Sequence, residues 1–549
     1  MDGGGAAAAA GERSVVVHRS GAAFRLTADG AVRDVPSSGL PAEVRRMEAE
    51  GARWVWDTSE VYPALLAAGV RVGRAWDLRL ARALLRRAAG TPGGIRALPA
   101  DGWDDASTAD EGALPIDLAG DLDPVAEFAR QAAEVAGSAR SGALRLLITA
   151  ESAGALAAAE MRHGGLPWRR DVHERILADL LGPRVASDRR PATLERLADE
   201  IRTALAAPGL NPDSPVELAR ALRLAGIEVD STRAVELRRV DHPAVAPLLE
   251  YKKLARLHQA NGWAWLDSWV VDGRFRPDYI VGGVVTGRWA ARGGGAQQLP
   301  KQIRAAVVAD PGWTLVVADA AQLEPRVLAG LAHDHAMAEA GRGRDLYAGI
   351  VASGAVATRA AAKVGMLGAL YGATSGESGR LVPRLAQRFP RALALVEQAA
   401  REGERGGTVS TLLGRSTPPV SARQRAVDRD AAVLEADERV LRQARSMARD
   451  RGRFTRNFVV QGTAAEWALC WLADLRRRLW ELGEGPLAER PHLVYFLHDE
   501  VIVHTPAQLA VRVAAAVEAS ARAAGRLLFA DFPIDFPLDV SVVDRYADA

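Results

Sequence analysis

The sequence predicts a multidomain protein that combines α/β and α+β structure. Its 549 residues are enough for several domains. Residues 12 to about 100 alternate short strand-like runs with helical ones, which indicates a small α/β unit. A long region with mainly helical periodicity follows, and the last hundred residues return to a mixture of helices and strands.

Individual elements can be predicted in chain order. The N-terminal part contains strand-like and helical runs at Ser14–Val17, Arg53–Trp56, Val61–Ala67 and Leu78–Arg87. A stretch rich in Gly, Pro and Asp at 91–123 predicts a loop, and the segment from Asn211 to Pro215 predicts a turn followed by a helix. The later predictions are a glycine-rich strand region at 281–320, helices at 324–450 broken at 406–419, helices near 462–480 and 507–525, a hairpin at 492–505 and a short final strand.

Composition excludes some classes of protein and leaves others open. The net charge of +2 carries no global signature of a nucleic-acid binder, although local charge is what contacts phosphate. The single cysteine, Cys470, excludes a disulfide framework within the chain and a cysteine-rich zinc site. The sequence contains no uninterrupted run of about 18 apolar residues, so no membrane-spanning helix is predicted. Residues 1–12 are predicted to be a disordered tail, and we expect a cytoplasmic protein.

The first segment with a chemical signature runs from Thr314 to Arg326. An apolar strand ends at Asp319, and a helix is predicted to begin near Pro325. A carboxylate at the end of a buried strand is held rigidly, which suits a metal ligand. Asp is also a favoured helix cap, so this segment alone leaves both interpretations open.

The second segment contains Arg359, Lys363, Leu367 and Tyr371, each four residues after the last. On a helix these residues form one stripe that covers about a third of the circumference. Two cations at one end could hold a triphosphate, and the apolar and aromatic end could pack on a sugar and a base. The alternative is an amphipathic helix whose cations face water.

The third segment places His498-Asp499-Glu500 between two apolar runs, as expected for the tip of a hairpin. Charged residues at a tight turn are usually only solvated. The flanking runs are nevertheless apolar enough to predict buried strands, and buried strands would place the acids in a cleft. Two carboxylates from different strands could hold a pair of divalent ions for phosphoryl transfer.

These three segments resemble, in the same order, motifs A, B and C of the family A DNA polymerases, the bacterial DNA polymerase I family. The family writes these motifs D-Y-S-Q-I-E-L-R, R-x3-K-x3-F-G-x2-Y-G and V-H-D-E. Three further regions also resemble the family. Thr286–Arg288 with Gln297–Pro300 resembles its T-G-R and L-Q-N-I-P segments, and Asn457–Glu466 resembles its N-x-P-x-Q-G-T-A-A-D segment. Ser214–Leu218 with Leu249–Leu257 resembles its thumb. The resemblance extends from about residue 150 to the C-terminus.

The resemblance implies a right-hand polymerase domain at 151–549, with a thumb at about 170–280, a palm at about 281–335 and 455–549, and fingers at about 336–454. It implies two Mg²⁺ ions, with Mn²⁺ as an alternative, held by Asp319 and Asp499, and a catalytic set completed by Glu500 and Lys363. The implied nucleotide-binding residues are Arg359, Lys363, Leu367, Tyr371, Gln322, Glu324 and Tyr347. The implied DNA-binding residues are Arg288, Gln297, Gln298, Arg453, Asn457, Gln461 and His498.

The sequence departs from the family pattern at several of these positions. Leu367 replaces the aromatic residue that usually packs on the incoming sugar, and Tyr347 replaces a histidine that helps to hold the phosphates. Val459 replaces a proline, and Ala320-Ala321 replaces Tyr-Ser. The metal carboxylates, Lys363 and Tyr371 are retained, so we predict an active enzyme with altered fidelity or nucleotide preference.

The segment from Arg53 to Arg87 weakly resembles part of the family's 3′–5′ exonuclease domain. On this resemblance, residues 13–150 are predicted to form a domain with the ribonuclease H-like fold of that exonuclease. The segment from Trp76 looks like F-D-T-M-L-x-x-Y-x-L, but the first strand has no D-x-E and the later Y-x3-D element is missing. Asp57 and Glu60 lie near the second motif with the wrong spacing. We therefore predict an exonuclease-like domain without proofreading.

The predicted activity is the addition of dNTPs to a primer on a DNA template by a monomer that acts in repair or gap filling, at the bacterial nucleoid and not at a membrane. Two alternatives stay open. A single-subunit RNA polymerase shares the two aspartates and the Lys/Tyr helix, although Glu324 should clash with a ribose 2′-hydroxyl. A catalytically silent DNA-binding scaffold would be compatible with the degenerate exonuclease-like domain and with Leu367.

Overall fold

The computed structural model describes residues 13–104, 122–186, 189–229, 231–295, 299–373, 375–433 and 437–549. The chain divides into two compact units, of which the first contains 1–164, 279–290 and 316–542 and the second contains 165–278, 291–315 and 543–549. The predicted tail at 1–12 and residues 105–121 of the predicted loop lie outside the described residues.

The N-terminal part of the first unit is built on a mixed five-stranded sheet in the order β3-β2-β1-β4-β5. Strands β1 to β3 form an antiparallel meander, and β4 and β5 extend it in parallel. The strands are β1 (Ser14–Ser20), β2 (Ala23–Ala28), β3 (Ala31–Pro36), β4 (Arg53–Trp56) and β5 (Ala75–Asp77), and the helices are α1 (Leu40–Ala49), α2 (Thr58–Ala67), α3 (Leu78–Leu85), α4 (Gly94–Ala97) and α5 (Pro124–Ala136). The predicted α/β alternation is confirmed.

A second sheet, most of whose residues belong to the first unit, has four strands in the order β12-β13-β11-β14. Residues Val316–Ala318 and Val501–Val503 are buried because the sheet is covered by helices, which explains why these strands are continuously apolar. The elements are β11 (Trp313–Ala320), α13 (Leu323–Ala332), α20 (Glu438–Glu481), β12 (His492–Leu497), β13 (Glu500–Pro506), α21 (Ala510–Phe529) and β14 (Leu538–Val543). The predicted hairpin, the helix that follows it and the final strand are confirmed.

The helical region between α13 and α20 also lies in the first unit. It comprises α14 (His335–Gly341), α15 (Leu346–Ala352), α16 (Arg359–Tyr371), α17 (Gly376–Arg388), α18 (Pro390–Glu404) and α19 (Ala422–Ala431). The predicted break at 406–419 is a loop closed by a bridge between Ser410 and Ser416. A two-residue ladder of β9 (Tyr279–Ile280) and β10 (Ala290–Ala291) precedes this region.

The long helix α6 (Ser141–Gly164) belongs to the core of the first unit. Among the described residues it is the helix whose length and composition would suffice to cross a membrane, and half of its most apolar window is buried inside the protein. It also carries two buried carboxylates, Glu151 and Glu160, that pair with Arg415 and Arg476. Buried ion pairs with other elements are typical of a helix in the core of a protein, and we interpret α6 as a core helix.

The second unit is mainly helical, and Ser214 caps its helix α9 by accepting a hydrogen bond from Glu217 N at 3.3 Å, as the turn at 211–215 predicts. Its helices are α7 (Arg170–Leu181), α8 (Ala192–Ala204), α9 (Pro215–Leu224), α10 (Ala234–Leu237), α11 (Val245–Asn261) and α12 (Trp263–Trp269). Its small sheet, in the order β6-β8-β7, consists of β6 (Leu166–Pro167), β7 (Val270–Val271) and β8 (Arg274–Phe275).

Helix α20 differs most from its prediction, because the helical segments predicted to end at residue 450 and to begin near residue 462 are one continuous helix from Glu438 to Glu481. Asp437 caps its N-terminus through a hydrogen bond from Arg439 N at 2.7 Å. Val459 stands in the helix interior, where a proline would remove a hydrogen bond and clash with the preceding turn. The chain therefore runs as one 44-residue helix through the boundary predicted between fingers and palm at 454/455.

Candidate active site

Asp319 and Asp499 lie at the ends of neighbouring strands of the four-stranded sheet. Asp319 is near the end of β11, Asp499 immediately precedes β13, and Ala320 N donates a hydrogen bond to the Asp499 carbonyl oxygen at 2.9 Å. The helix-cap interpretation of Asp319 is wrong, because the N-cap of α13 is Gln322. The carboxylates instead belong to one site, where burial and the charge of Asp319 raise the pKa of Asp499 to about 7.

Two residues at this site have left-handed backbone conformations, which are rare outside glycine. His498 has φ +58° at the hairpin tip, and Gln322 has φ +52° between β11 and α13. Nδ1 of His498 is buried without a hydrogen-bond partner among the described residues. Burial and the charge of Arg288 lower the pKa of His498 to about 4, so its imidazole is neutral at physiological pH.

A cleft opens beside the hairpin tip, and its polar lining consists of Arg288, Glu324, His498 and Asp499. The guanidinium of Arg288 is paired with the carboxylate of Glu324, which lies in the first turn of α13. The opposite wall contains small side chains of α20, including Ala464, Ala465 and Ala468. Asp499 at the hairpin tip therefore lines a cleft, and the interpretation of a merely solvated turn is wrong.

Helix α16 carries all four residues of the predicted stripe. Arg359 and Lys363 are exposed, which is expected of both a binding face and a solvated face. Leu367 and Tyr371 are also exposed, at 38% and 45%. The other side of the helix is buried, with Ala362, Met366 and Ala369 packed into the core. An exposed leucine and tyrosine in line with two cations are more typical of a binding face than of a solvated one.

Arg359 is held at the start of this stripe by its neighbours. Its Nη2 donates to Asp345 Oδ2 at 2.8 Å, and its guanidinium lies 5.5 Å from the centre of the Tyr347 ring. The Arg359 guanidinium keeps the pKa of Asp345 below its ordinary value. Among the described residues, no acidic partner pairs with Lys363, which stands one turn further along the stripe.

The remaining predicted residues are placed in different surroundings. The Gln322 side-chain oxygen accepts a hydrogen bond from Leu346 N at 3.2 Å, so this oxygen is engaged within the protein. Glu500 is the first residue of β13, next to Asp499. Asn457 and Gln461 are half-buried in the middle of α20, and Arg453 pairs with Asp450 on the same helix. Gln297 and Gln298 lie outside the described residues.

Comparison with known proteins gives the family. The sequence model described as DNA polymerase family A matches residues 185–544, about two thirds of the chain. The chain belongs to DNA polymerase family A.

Individual relatives agree with this family assignment. A thermostable DNA polymerase I from Thermus thermophilus is 30% identical over 345 residues, which are 57% of this chain and 37% of the relative. DNA polymerase I from Chloroflexus aurantiacus is 28% identical over 314 residues, which are 52% of this chain and 30% of the relative. The match thus spans only about a third of the length of these relatives.

One solved structure shares the fold of almost the whole chain. It is described as the POL domain of Pol1 from M. smegmatis in complex with DNA primer-template and dNTP. The TM-score is 0.68 at 18% sequence identity, with 98% of this chain and 96% of that chain covered. The mixed α and β architecture of this family A chain is therefore that of a polymerase domain.

The carboxylates of this family A chain fit the divalent ions that its family uses. Among the described residues, no group of three or more His, Cys, Asp or Glu side chains could enclose a metal ion. Mg²⁺ is commonly held by only one or two carboxylates, with water and substrate phosphates completing its shell. Burial and the charge of Asp319 together raise the pKa of Asp499, and a bound cation would relieve the repulsion between the two carboxylates.

A buried ion pair next to the cleft was not predicted from the sequence of this family A chain. Arg415, in the loop after α18, pairs with Glu151 of α6, and both side chains are buried. Gly287 has φ +89°, and a Cβ there would lie 2.5 Å from Arg415 Nε, so the loop that carries Arg288 rests directly on this guanidinium. The only sequence signal was an acid inside an apolar helix, which does not identify its partner.

Proposed function

We propose that this chain carries out template-directed DNA synthesis by adding dNTPs to a primer 3′-hydroxyl. The observation that carries the proposal is the paired carboxylates of Asp319 and Asp499, which meet at neighbouring strand ends beside a cleft. Phosphoryl transfer depends on positioning and charge neutralisation. Rigid strand ends supply the positioning, and cations held by the two carboxylates would supply the neutralisation. DNA primer-template and dNTP are also the ligands of the related M. smegmatis structure.

Each residue has a defined task in this proposal. Two divalent ions, when bound to Asp319 and Asp499, would supply charge neutralisation at the attacking and leaving oxygens. Lys363 and Arg359 would bind the triphosphate on the exposed face of α16. Glu324 would lie beneath the sugar and exclude a 2′-hydroxyl, which favours a DNA polymerase over the RNA polymerase alternative.

Other residues would hold the DNA. Arg288 and Gln461 would contact the minor-groove edge at the primer end, with Asn457 and Arg453 further along α20. The neutral imidazole of His498 would lie near the primer terminus and could donate one hydrogen bond without adding charge.

The right-hand division into thumb, palm and fingers remains part of the proposal. The separate compact unit that includes residues 165–278 supports a thumb at about 170–280. The sheet with Asp319 and Asp499 supports a palm at about 281–335 and 455–549, and the helices from α14 to α19 support fingers at about 336–454. Helix α20 would belong to both fingers and palm.

We also propose that residues 13–150 keep an exonuclease-like fold without proofreading. The mixed sheet of β1 to β5 supports the fold, and β1 contains no carboxylate. Asp57 caps α2 through Ser59 N and pairs with Arg79, while Asp77 caps α3 and accepts a hydrogen bond from Thr58 N at 3.0 Å. These aspartates are engaged in structural contacts that a metal ion would have to displace.

The test is primer extension with a 5′-labelled primer on a longer template, with Mg²⁺ and either dNTPs, NTPs or no nucleotide. We expect extension with dNTPs and not with NTPs, and no primer shortening in the lane without nucleotide. Extension with NTPs alone would favour an RNA polymerase. DNA binding without extension would favour a scaffold, and shortening that is lost in Asp57→Asn would contradict the absence of proofreading.

The exposed Leu367 leads to a prediction about nucleotide affinity. We expect Leu367→Phe to lower KM for dNTPs by roughly 2- to 10-fold, because the larger ring would bury more apolar surface against the incoming sugar, at about 25 cal/mol per Å². Leu527, on α21, is also exposed, and Leu527→Phe serves as the control with unchanged kinetics. Single-nucleotide incorporation measured against dNTP concentration checks this, and an unchanged or higher KM in Leu367→Phe would contradict it.

The cellular context is proposed on the family resemblance alone. We propose a monomer in the bacterial cytoplasm that acts in repair or gap filling. Mass determination in solution tests the first part, and sensitivity of a deletion strain to DNA damage tests the second.

A further inference from the structure

The N-terminal third of α20 forms a helical hairpin with α19 at the surface of the first unit. None of the side chains from Glu438 to Arg451 is fully buried, and in α19 only Gln424 is. The half-buried side chains of this part of α20 are mostly apolar and lie on one face of the helix: they are Val440, Leu441, Ala444, Met447 and Ala448. The opposite face of α20 is therefore turned to solvent.

This solvent face carries an arginine stripe, which consists of Arg439, Arg442, Arg445, Arg449 and Arg453. At 100° per residue these five positions fall within about 120° of the helix circumference, and at 1.5 Å per residue they extend over about 21 Å. All five are exposed. In the part of the chain that the structure describes, Arg442 pairs with Glu438 and Arg453 with Asp450, whereas Arg439, Arg445 and Arg449 pair with no acid.

The arginine stripe begins next to the proposed nucleotide-binding face. Arg453 Cγ lies 3.1 Å from where a Cβ on Gly372 would stand, at the C-terminal end of α16 and next to Tyr371. Asn457 and Gln461, proposed to contact the primer end, follow Arg453 in the other direction along α20. From Arg453 the stripe leads away from the active site along a single helix.

We propose that the arginine stripe binds the phosphates of the unpaired template strand ahead of the templating position. This inference rests on the proposed DNA synthesis, in which Tyr371 lies near the templating base. The strand that continues beyond that base is single-stranded and polyanionic. An exposed row of five guanidinium groups, three of which pair with no acid among the described residues, is complementary to it. A helix that needed only solubility would balance its cations with acids at i+4 positions, which Arg445 and Arg449 lack.

The test uses the double variant Arg445→Glu/Arg449→Glu, which breaks no ion pair with a described residue. Its matched control is Arg512→Glu/Arg526→Glu on α21, where both arginines are also exposed and have no acidic partner among the described residues. Binding is measured on two primer-templates with the same duplex, one with a single template nucleotide beyond the primer and one with about 12.

On the long overhang, the slope of log K against log salt should become shallower by about 1.4 for the stripe variant, because each lost phosphate contact on a single strand contributes about 0.7. The control variant should match wild type on both substrates, and the stripe variant should match wild type on the short overhang. An equal loss on both overhangs would overturn the proposal and indicate duplex binding instead, and no loss on either would overturn it outright.

If wild type does not extend primers at all, the proposed function fails. If wild type extends both substrates and the stripe variant shows no dependence on overhang length, only the arginine stripe proposal fails.

Discussion

Replacing Asp499 by asparagine is expected to lower the rate of primer extension by at least about a thousandfold. The amide has nearly the same shape as the carboxylate but lacks its charge, so the site would lose one of its two anionic ligands. A metal ion stabilises transition-state charge by several kcal/mol, and each 1.36 kcal/mol corresponds to a factor of ten in rate. Single-turnover extension at saturating dNTP and Mg²⁺ measures the effect.

The matched control is Asp539→Asn, because Asp539 is an exposed aspartate on β14 of the same sheet. It undergoes the same chemical change, and we expect extension to stay within about twofold of wild type. Extension by Asp499→Asn within tenfold of wild type would show that Asp499 is not a metal ligand and would remove the main support for the proposed function.

The same variant has a readout that does not depend on activity. Mg²⁺ should raise the Tm of wild type, since a cation that binds only the folded state stabilises it by mass action. In metal-free buffer Asp499→Asn should be at least as stable as wild type, because the repulsion between two neighbouring carboxylates is gone. The gain in Tm with Mg²⁺ should be largely absent in the variant and intact in Asp539→Asn.

Changing Glu160 to glutamine should give a large loss of stability, about 3–5 kcal/mol. Glu160 is a buried carboxylate on α6 that accepts hydrogen bonds from Tyr62 Oη at 2.6 Å, Arg71 Nε at 3.1 Å and Arg476 Nε at 2.8 Å. Burial alone would raise the pKa of Glu160, but the charges of Arg476 and Arg71 outweigh it and lower the pKa. Without the carboxylate, two buried guanidinium groups lose their counter-ion.

This network joins the N-terminal sheet region to α20. Arg476 of α20 also donates to Gly73 O at 3.0 Å, and Tyr62 belongs to α2. We therefore expect Glu160→Gln to lower the urea midpoint of the N-terminal region and of α20 together, as followed by hydrogen exchange in both segments. Loss of protection in residues 13–104 alone would show that the network does not couple them.

The control for Glu160→Gln is Glu518→Gln on α21. Glu518 pairs with Arg522 at 3.4 Å on the exposed face of its helix. Such a pair contributes about 0.3–0.5 kcal/mol, so the midpoint should hardly change. Comparable losses in the two variants would contradict the argument that burial makes Glu160 important.

The features that depend on local chain chemistry could be predicted from the sequence alone. Alternation and periodicity were sufficient for two of the five N-terminal strands, at Ser14–Val17 and Arg53–Trp56, for the hairpin at 492–505 and for the α16 stripe, since these patterns are set by residues close together in the chain. The order and spacing of the motifs were sufficient for the family. Helix α20 was predicted as two separate segments, whereas the chain is helical without a break from Glu438 to Glu481.

Other features were decided only by the tertiary structure, because they depend on distance and burial between residues far apart in sequence. The sequence could not determine whether Asp319 capped a helix or faced Asp499, since the two acids are brought together by strand pairing 180 residues apart. It could not show that Asp345 holds Arg359, or that Glu151 and Glu160 have arginine partners. A carboxylate in an apolar helix has no local signal for its counter-ion, and only the folded chain supplies one.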